Sequence, residues 1–169
     1  MPIYFYGCIT MDGYLADSHH RLDWLYESGD VAETDYQDFY NRMTVTLMGR
    51  RTFDEIKDHP DIDQFYPTTD NYVFTHQKTI DTKGFTAVSG DVVSFVQQFE
   101  ADQHIWVVGG NTILAPLLEA DLVDSLIIQI APVLLGNGIP LFTQKEGLKR
   151  FKLEKVNQYG QFAEMVYHK

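Results

Sequence analysis

The most constraining feature of this sequence is a short apolar run that ends in two glycines and continues into a helical pattern. Residues 105–108 read Ile-Trp-Val-Val, which is typical of a buried strand. Gly109 and Gly110 follow, and the apolar residues after Asn111 and Thr112 have helical spacing. Such a turn brings backbone N–H groups and a helix N-terminus to the edge of a sheet, where they suit a phosphate or pyrophosphate. A structural turn that needs glycine for close packing explains the same residues, so both interpretations stay open.

A second turn of the same kind carries positive charge. Residues 45–48 predict a short strand, and Gly49, Arg50, Arg51 and Thr52 then open a helix. Arginine offers a fork of donors that matches phosphate oxygens. The chain has 13 Lys and Arg against 24 Asp and Glu, a net charge of −11, so a bound phosphate requires its cations to be concentrated in one place. The alternative is that both arginines are solvated on the surface.

The composition narrows the class of protein. A chain of 169 residues fits one domain, residues 1–169, with a hydrophobic core large enough to be stable without disulfide bonds. The acidic balance disfavours a nucleic-acid partner, and no apolar run reaches the length that spans a membrane. The start of the chain does not resemble an export signal, and Cys8 cannot form an internal disulfide, so we expect a soluble cytoplasmic protein. His19 and His20 lack further ligands at metal-binding spacing, so no metal site is expected.

Strands and helical patterns alternate as far as about residue 120, and the rest of the chain is mainly β. This order predicts an α/β fold in which a mixed, mostly parallel sheet is flanked by helices and finished by a C-terminal antiparallel strand pair. We predict strands over residues 3–9, 45–48, 71–75, 85–88, 105–108 and 122–131, helices after residues 35, 49, 91 and 110, and a hairpin around residues 159–160. The strand ends at Thr10, Gly49, Thr75 and Gly109 would share one edge, where α/β sheets bind ligands.

Two further features have competing interpretations. The polar stretch 17–30 contains Trp24, which is either the wall of a pocket under a lid or an anchor that holds the loop to the core. A helix is predicted from Tyr36 to Met43, and Thr34 or Asp35 can cap it.

Four blocks of the sequence resemble the dihydrofolate-reductase-like superfamily, and within it the reductase domain of the bacterial riboflavin deaminase-reductase. They are Asp-Gly-Tyr-Leu-Ala at 12–16, Met-Gly-Arg-Arg-Thr-Phe at 48–53, Val-Val-Gly-Gly at 107–110, and Leu-Val-Asp at 122–124 with Ala-Pro-Val-Leu-Leu-Gly at 131–136 and Pro-Leu-Phe at 140–142. Each block is weak alone, but the four occur in the order of the family and cover nearly the whole chain.

The resemblance implies an NADPH site across the strand ends. Gly49 to Thr52 would hold the adenosine phosphates, with Arg50 and Arg51 near the 2′-phosphate. Gly109 and Gly110 would meet the pyrophosphate together with Asn111 and Thr112, beside Val108. Thr75 and His76 would line the adenosine side, and Leu15 and Ala16 would lie near the nicotinamide. Asp12 and Trp24 would lie on the substrate side.

The sequence departs from the family in two ways. No H-x-E motif pairs with P-C-x-x-C, so the zinc deaminase half is absent. Folate reductases place an acid on the first long helix to help protonate the pterin. By position Asp35 is the nearest candidate for this catalytic role and Glu33 is the next, although Asp35 also suits a helix cap.

Three functions therefore compete. The first is an NADPH-dependent oxidoreductase that transfers a hydride to a small pterin-like or pyrimidine-like heterocycle. The second is a protein that binds or senses NADPH and has lost catalysis, and the third is an interaction protein whose glycine turns are structural. By analogy with relatives that pair through their C-terminal strands, we also expect a homodimer.

Overall fold

The strands of the protein form one large sheet and one small one. A computed structural model describes residues 1–30, 34–145 and 147–169. Within them, the strands are β1 (Ile3–Thr10), β2 (Tyr14–Ala16), β3 (Val45–Gly49), β4 (Asp70–Phe74), β5 (Thr86–Val88), β6 (Ile105–Gly109), β7 (Ser125–Ala131), β8 (Ile139–Pro140), β9 (Lys152–Tyr159) and β10 (Phe162–His168). Eight of them form a sheet in the order β5-β4-β3-β6-β1-β7-β10-β9, and β2 pairs with β8. The α-helices are α1 (Asp23–Tyr26), α2 (Tyr36–Tyr40), α3 (Arg50–Ile56), α4 (Val92–Val96) and α5 (Asn111–Glu119), and a 3₁₀ turn covers Ile62–Gln64.

The directions of the strands confirm the predicted fold class. The pairs β1–β6, β1–β7, β3–β4, β3–β6 and β4–β5 are parallel. Strand β10 runs antiparallel to both β7 and β9, which gives the predicted antiparallel pair at the C-terminal end. The sheet is therefore mixed and mostly parallel.

Helices cover both faces of the sheet, and two apolar clusters fill the space beneath them. One cluster joins α4 and α5 to β1, β3 and β6, and includes Leu114 and Leu117, which are fully buried. The other joins α2 and α3 to the opposite face through Phe39 and Phe53. Every residue of β3 is buried, as is typical of a strand covered on both sides. Burying a side chain such as Leu114 stabilises the fold by about 1.5–3 kcal/mol.

The boundaries of several elements differ from the prediction. Helix α2 ends at Tyr40 because the next turn tightens: the Arg42 N–H bonds the Phe39 carbonyl and the Met43 N–H bonds that of Tyr40. Strand β7 begins at Ser125, three residues after the predicted start at residue 122. Asp124 bonds Ile3 instead: its carboxylate accepts from the Ile3 N–H, and its own N–H donates to the Ile3 carbonyl.

Some short elements were not predicted, and the helix caps were predicted only in part. Strands β2 and β8 and helix α1 are absent from the sequence prediction because each has four residues or fewer, too few to show a period. Asp91 does cap α4, as its carboxylate accepts from the Ser94 N–H at 2.7 Å. Asp35 stands at the N-cap of α2 without a capping bond from its side chain. No helix in the described ranges has the length and apolar character to cross a membrane.

Candidate functional site

A cleft of about 930 Å³ opens where parallel strands of the large sheet end. It lies at the carboxyl ends of β3, β4 and β6, the edge at which open α/β sheets bind ligands. The thirteen residues that the sequence places on the cofactor side all line it: Leu15, Ala16, Gly49, Arg50, Arg51, Thr52, Thr75, His76, Val108, Gly109, Gly110, Asn111 and Thr112. Residues far apart in the chain therefore meet at one concave surface.

The two glycine turns form one continuous part of the cleft wall. Met48 of β3 pairs with Gly109 of β6, so the turns at the ends of these strands are neighbours. A Cβ atom added to Gly109 would lie 3.1 Å from the Thr52 hydroxyl oxygen, and one added to Gly49 would lie 3.6 Å from that of Thr112. The peptide bond between Gly109 and Gly110 is cis. Close packing between the turns thus accounts for the glycine at position 109, in agreement with the structural interpretation.

The part of the cleft wall formed by the two glycine turns also carries hydrogen-bond donors. Helix α5 has nine residues, and its N-cap, Gly110, has no side chain to accept from the N–H groups of the first turn. The hydroxyls of Thr52 and Thr112 and the side-chain amide of Asn111 stand at the same wall, and the Asn111 amide also donates to the Pro140 carbonyl at 2.9 Å. The wall therefore offers backbone, hydroxyl and amide donors to an anionic group.

The positive charge of the cleft comes from the first turn of α3. The Arg50 Nε lies 2.8 Å from an Asp54 oxygen, and the Arg50 guanidinium also bonds the Gln77 side chain. Partial burial raises the pKa of Asp54, but hydrogen bonds and charge from Lys57 and Arg50 outweigh it and hold that pKa below its usual value. Arg51 is exposed and has no ion pair with a described residue. Arg50 is thus fixed in position by its two partners, whereas the Arg51 guanidinium is available to bind an anion in the cleft.

The part of the cleft toward α1 has walls that the sequence did not reveal. Gly7 and Cys8 of β1 line it, together with Leu22, Leu25 and Tyr26 from the segment around α1. The sequence had placed the end of β1, at Thr10, on the binding edge. Thr10 is instead buried and bonded within the turn that follows, so the cleft meets β1 at its middle. Burial raises the pKa of the Cys8 thiol to about 12.

Comparison with known proteins identifies the family. The sequence profile described as the RibD C-terminal domain matches residues 3–163. The chain belongs to the RibD C-terminal domain family. It is 28% identical over 167 residues to the uncharacterized protein YwjB of Bacillus subtilis (strain 168), covering 96% of this chain and 94% of that protein.

Solved structures agree with this membership. A protein from Shewanella sp. PV-4, provisionally assigned to riboflavin biosynthesis, superposes with a TM-score of 0.84 at 25% identity, covering 99% of this chain and 98% of the other. Dihydrofolate reductase from Enterococcus faecalis, solved with NADP(H), shares the fold with a TM-score of 0.65 at 14% identity, covering 99% and 95% of the two chains. The fold predicted from the four blocks is therefore confirmed, and the family supports a function of the reductase type.

Trp24 is buried in this RibD C-terminal domain, at a position that suits an anchor of the loop. Its side chain is 7% exposed and packs in a cluster with Ala131 and Phe162. It is absent from the described cleft wall, which its neighbours Leu25 and Tyr26 form instead. The indole anchors the α1 segment to the sheet, and the adjacent side chains face the cleft.

Asp12, predicted on the substrate side, lies in the turn after β1 and bonds the loop after β7. Its carboxylate accepts hydrogen bonds from the Thr10 hydroxyl at 2.6 Å and from the N–H groups of Leu135 and Gly136, at 3.1 and 2.7 Å. The bond from Thr10, and after it those from the two N–H groups, lower the pKa of Asp12. Asp12 ties the turn after β1 to the loop after β7 and is not among the described residues of the cleft wall.

Asp35 lies outside the described cleft wall as well. Burial, and after it the charge of the Asp35 carboxylate, raise the pKa of Tyr159 to about 12, and Tyr159 is not among the described residues of the cleft wall either. Glu33, the second acid considered for proton donation, falls outside the described residues. Among the described parts of the chain, the cleft wall contains the carboxylates of Glu55 and Asp91.

A fully buried carboxylate lies near Asp35, and sequence reasoning missed it. Glu164 is 0% exposed, and its two oxygens accept from the amides of Gln129 at 2.9 Å and Asn157 at 3.0 Å. The Gln129 amide also donates to the Tyr6 hydroxyl at 2.8 Å. Glu164, Gln129 and Asn157 are cross-strand partners on β10, β7 and β9. A signal did exist, since Glu164 is the one charged residue within the apolar β10 pattern.

Proposed function

We propose that this protein is an NADPH-dependent reductase that transfers a hydride to a small heterocyclic compound. The observation that carries the proposal is the convergence of the two glycine turns, both arginines of α3 and the end of β4 on one cleft. The family supports a reductase, and the Enterococcus faecalis enzyme of the same fold was solved with NADP(H).

The groups in the cleft fit the parts of a dinucleotide. The donors around Gly110, Asn111 and Thr112 would hold the pyrophosphate, since they surround the uncapped start of α5. Arg50 and Arg51 would take the phosphates of the adenosine half, because a guanidinium bonds phosphate oxygens in pairs. The remaining residues on the cofactor side divide between the two ends: Thr75 and His76 beside the adenosine, Leu15, Ala16 and Val108 toward the nicotinamide, and Gly49 and Thr52 between the turns.

The protein and the cofactor would divide the chemistry. NADPH, when bound, supplies the hydride, and a proton completes the reduction of one double bond in the substrate. Leu15, Ala16 and Cys8 contribute apolar surface that excludes water from the reacting atoms, and the thiol stays protonated because its pKa is raised to about 12.

The proton donor remains a prediction. If Asp35 delivers the proton, Asp35→Asn should lower kcat by 10²-fold or more, the order typical of general acids, and leave the Kd for NADPH unchanged. Steady-state kinetics with a nucleotide titration measure both quantities. Asp38→Asn is the matched control, because Asp38 is an exposed acid on the same helix. Unchanged turnover in Asp35→Asn would remove this residue from the mechanism and leave water as the proton source.

A second function is favoured by one observation. The predicted acid lies off the described cleft wall, which is what a protein that binds or senses NADPH without catalysis would show. The two functions differ in a spectrophotometric assay at 340 nm with pterin-like, pyrimidine-like and quinone-like compounds. A reductase oxidises NADPH with at least one of them, and a sensor binds the nucleotide and oxidises it with none. Absence of nucleotide binding would contradict both.

A further inference from the structure

The distribution of positive charge limits what can share the cleft with a nucleotide. All 13 Lys and Arg residues of the chain fall within the described ranges, and Arg50 and Arg51 are the two that line the cleft. Both stand in the first turn of α3, and Arg50 is bonded to Gln77. If these arginines hold the nucleotide phosphates, no Lys or Arg remains for a second phosphorylated ligand.

The part of the cleft next to α1 is apolar with an acidic rim. We call it the α1 compartment and define it by Cys8, Leu22, Leu25, Tyr26 and Glu55. Cys8 and Leu25 pack against the same cluster around Trp24, so the floor and the α1 wall rest on one apolar core. Apolar side chains therefore form most of this compartment.

Acidic groups stand at its mouth. Glu55 is exposed on α3 and has no hydrogen bond or ion pair with a described residue. Burial, then the charge of Glu55, then that of Asp23 raise the pKa of the Tyr26 hydroxyl, so α1 and α3 present carboxylates near this tyrosine. Arg51 stands one turn before Glu55 on α3, and His20 also lines the cleft. Once the two arginines hold the nucleotide, a phosphate that entered here would meet the charge of Glu55 with no Lys or Arg of the cleft left to offset it, whereas a neutral or cationic ring would not be repelled.

We propose that the α1 compartment binds a planar, apolar substrate ring that is neutral or cationic and carries no phosphate. The proposal rests on the proposed function, because it assigns the two arginines to the nucleotide. It names the chemical class of the substrate. It also separates this protein from a reductase whose substrate carries a ribose phosphate.

Matched pairs of compounds test the proposal. Protein saturated with NADPH is titrated calorimetrically at pH 8, where ordinary histidines are mainly uncharged, with riboflavin and its 5′-phosphate and with an aminouracil nucleoside and its 5′-phosphate. We expect the phosphate-free member of at least one pair to bind tenfold or more tightly than its phosphate, and the ratio to shrink in high salt because salt screens exposed charges.

Two variants keep the test specific. Glu55→Lys should bring the ratio to one or below, because it places a cation at the mouth of the α1 compartment. Glu100→Lys makes the same change of charge at an exposed position outside the cleft and should leave the ratio unchanged.

The outcomes separate this inference from the proposed function. Equal or tighter binding of the phosphates by the wild-type protein, binding of neither member of either pair, or an unchanged ratio in Glu55→Lys would overturn the inference. The NADPH titration that precedes each experiment tests the proposed function by itself. Failure of NADPH to bind would overturn that function whatever the substrate pairs do.

Discussion

At the scale of single residues, Glu164 shows how a buried charge is held in a sheet. Its carboxylate has no exposed surface, and the amides of Gln129 and Asn157 bond one oxygen each. A buried carboxylate is costly to desolvate, so its place in the fold depends on these donors. Its removal would take one acceptor from each of the two amide groups, although the Gln129 amide would keep its bond to the Tyr6 hydroxyl.

Substitution of Glu164 should therefore destabilise the protein by an amount that depends on the replacement. Glu164→Ala should lower the free energy of unfolding by about 2–4 kcal/mol, since each unsatisfied buried donor costs about 1–3 kcal/mol. Glu164→Gln should cost clearly less, because its carbonyl retains an acceptor and the neighbouring amides can turn. Urea unfolding of the two variants beside Glu154→Ala, an exposed acid on the adjacent strand, measures the difference. Equal losses in all three would show that the buried network contributes nothing.

At the scale of elements, Asp12 joins the turn after β1 to the loop that leads into β8. The bond from the Thr10 hydroxyl, followed by those from Gly136 and Leu135, lowers the pKa of Asp12 below its ordinary value of 3.8. A carboxylate whose pKa is lowered in the folded state stabilises that state above its unfolded pKa. The contribution of Asp12 is therefore complete above about pH 3.8, and it is lost as the pH falls from there through the lower folded-state pKa.

This linkage predicts a pH-dependent effect of one substitution. Asp12→Ala should lower Tm at pH 7, and the difference from the wild-type protein should narrow as the pH falls below about 3.8. Calorimetry from pH 3 to 7 measures this, with Asp58→Ala, at an exposed position just after α3, as the control. A difference in Tm that stays constant across this range would contradict the proposed role of the carboxylate.

A comparison of the secondary-structure elements shows which parts of the fold could be predicted from the sequence and which could not. The strand β6, its glycine turn and α5 were predictable because their apolar residues repeat with clear periods and glycine marks the boundary. The walls at Leu25 and Tyr26 were not, since α1 has four residues and no period. The roles of Asp12 and Trp24 depend on partners more than 100 residues away, at Gly136 and Ala131, and no local pattern records such contacts.

At the scale of the whole molecule, the outer edge of the sheet suggests how two copies would associate. Strand β9 has a neighbour, β10, on one side. Leu153 is 57% exposed and Val156 is 61% exposed, and they pair with Tyr167 and Met165 of β10, so they share one face. An apolar face of this kind on a terminal hairpin fits association with a second copy.

We expect the protein to be a homodimer through this face. Light scattering after size exclusion at micromolar concentration should give about twice the mass of 19.5 kDa. The double variant Leu153→Lys, Val156→Lys should give a monomer, because it places two charges in the interface. The control Leu134→Lys, Phe142→Lys changes exposed apolar residues elsewhere and should leave the dimer intact. A monomeric wild-type protein would contradict this expectation.

The proposed reductase function requires that the cleft binds NADPH, and thermal unfolding with and without nucleotide tests this directly. At about a hundred times its Kd a ligand adds about 2.7 kcal/mol, which for a chain of this size raises Tm by about 5–10 °C. We predict this shift with NADPH, a smaller one with NADH, and its loss in Arg50→Ala, Arg51→Ala. The control Lys83→Ala, Arg150→Ala removes two exposed cations outside the cleft and should keep the shift. Absence of a shift with either nucleotide would contradict the proposed reductase.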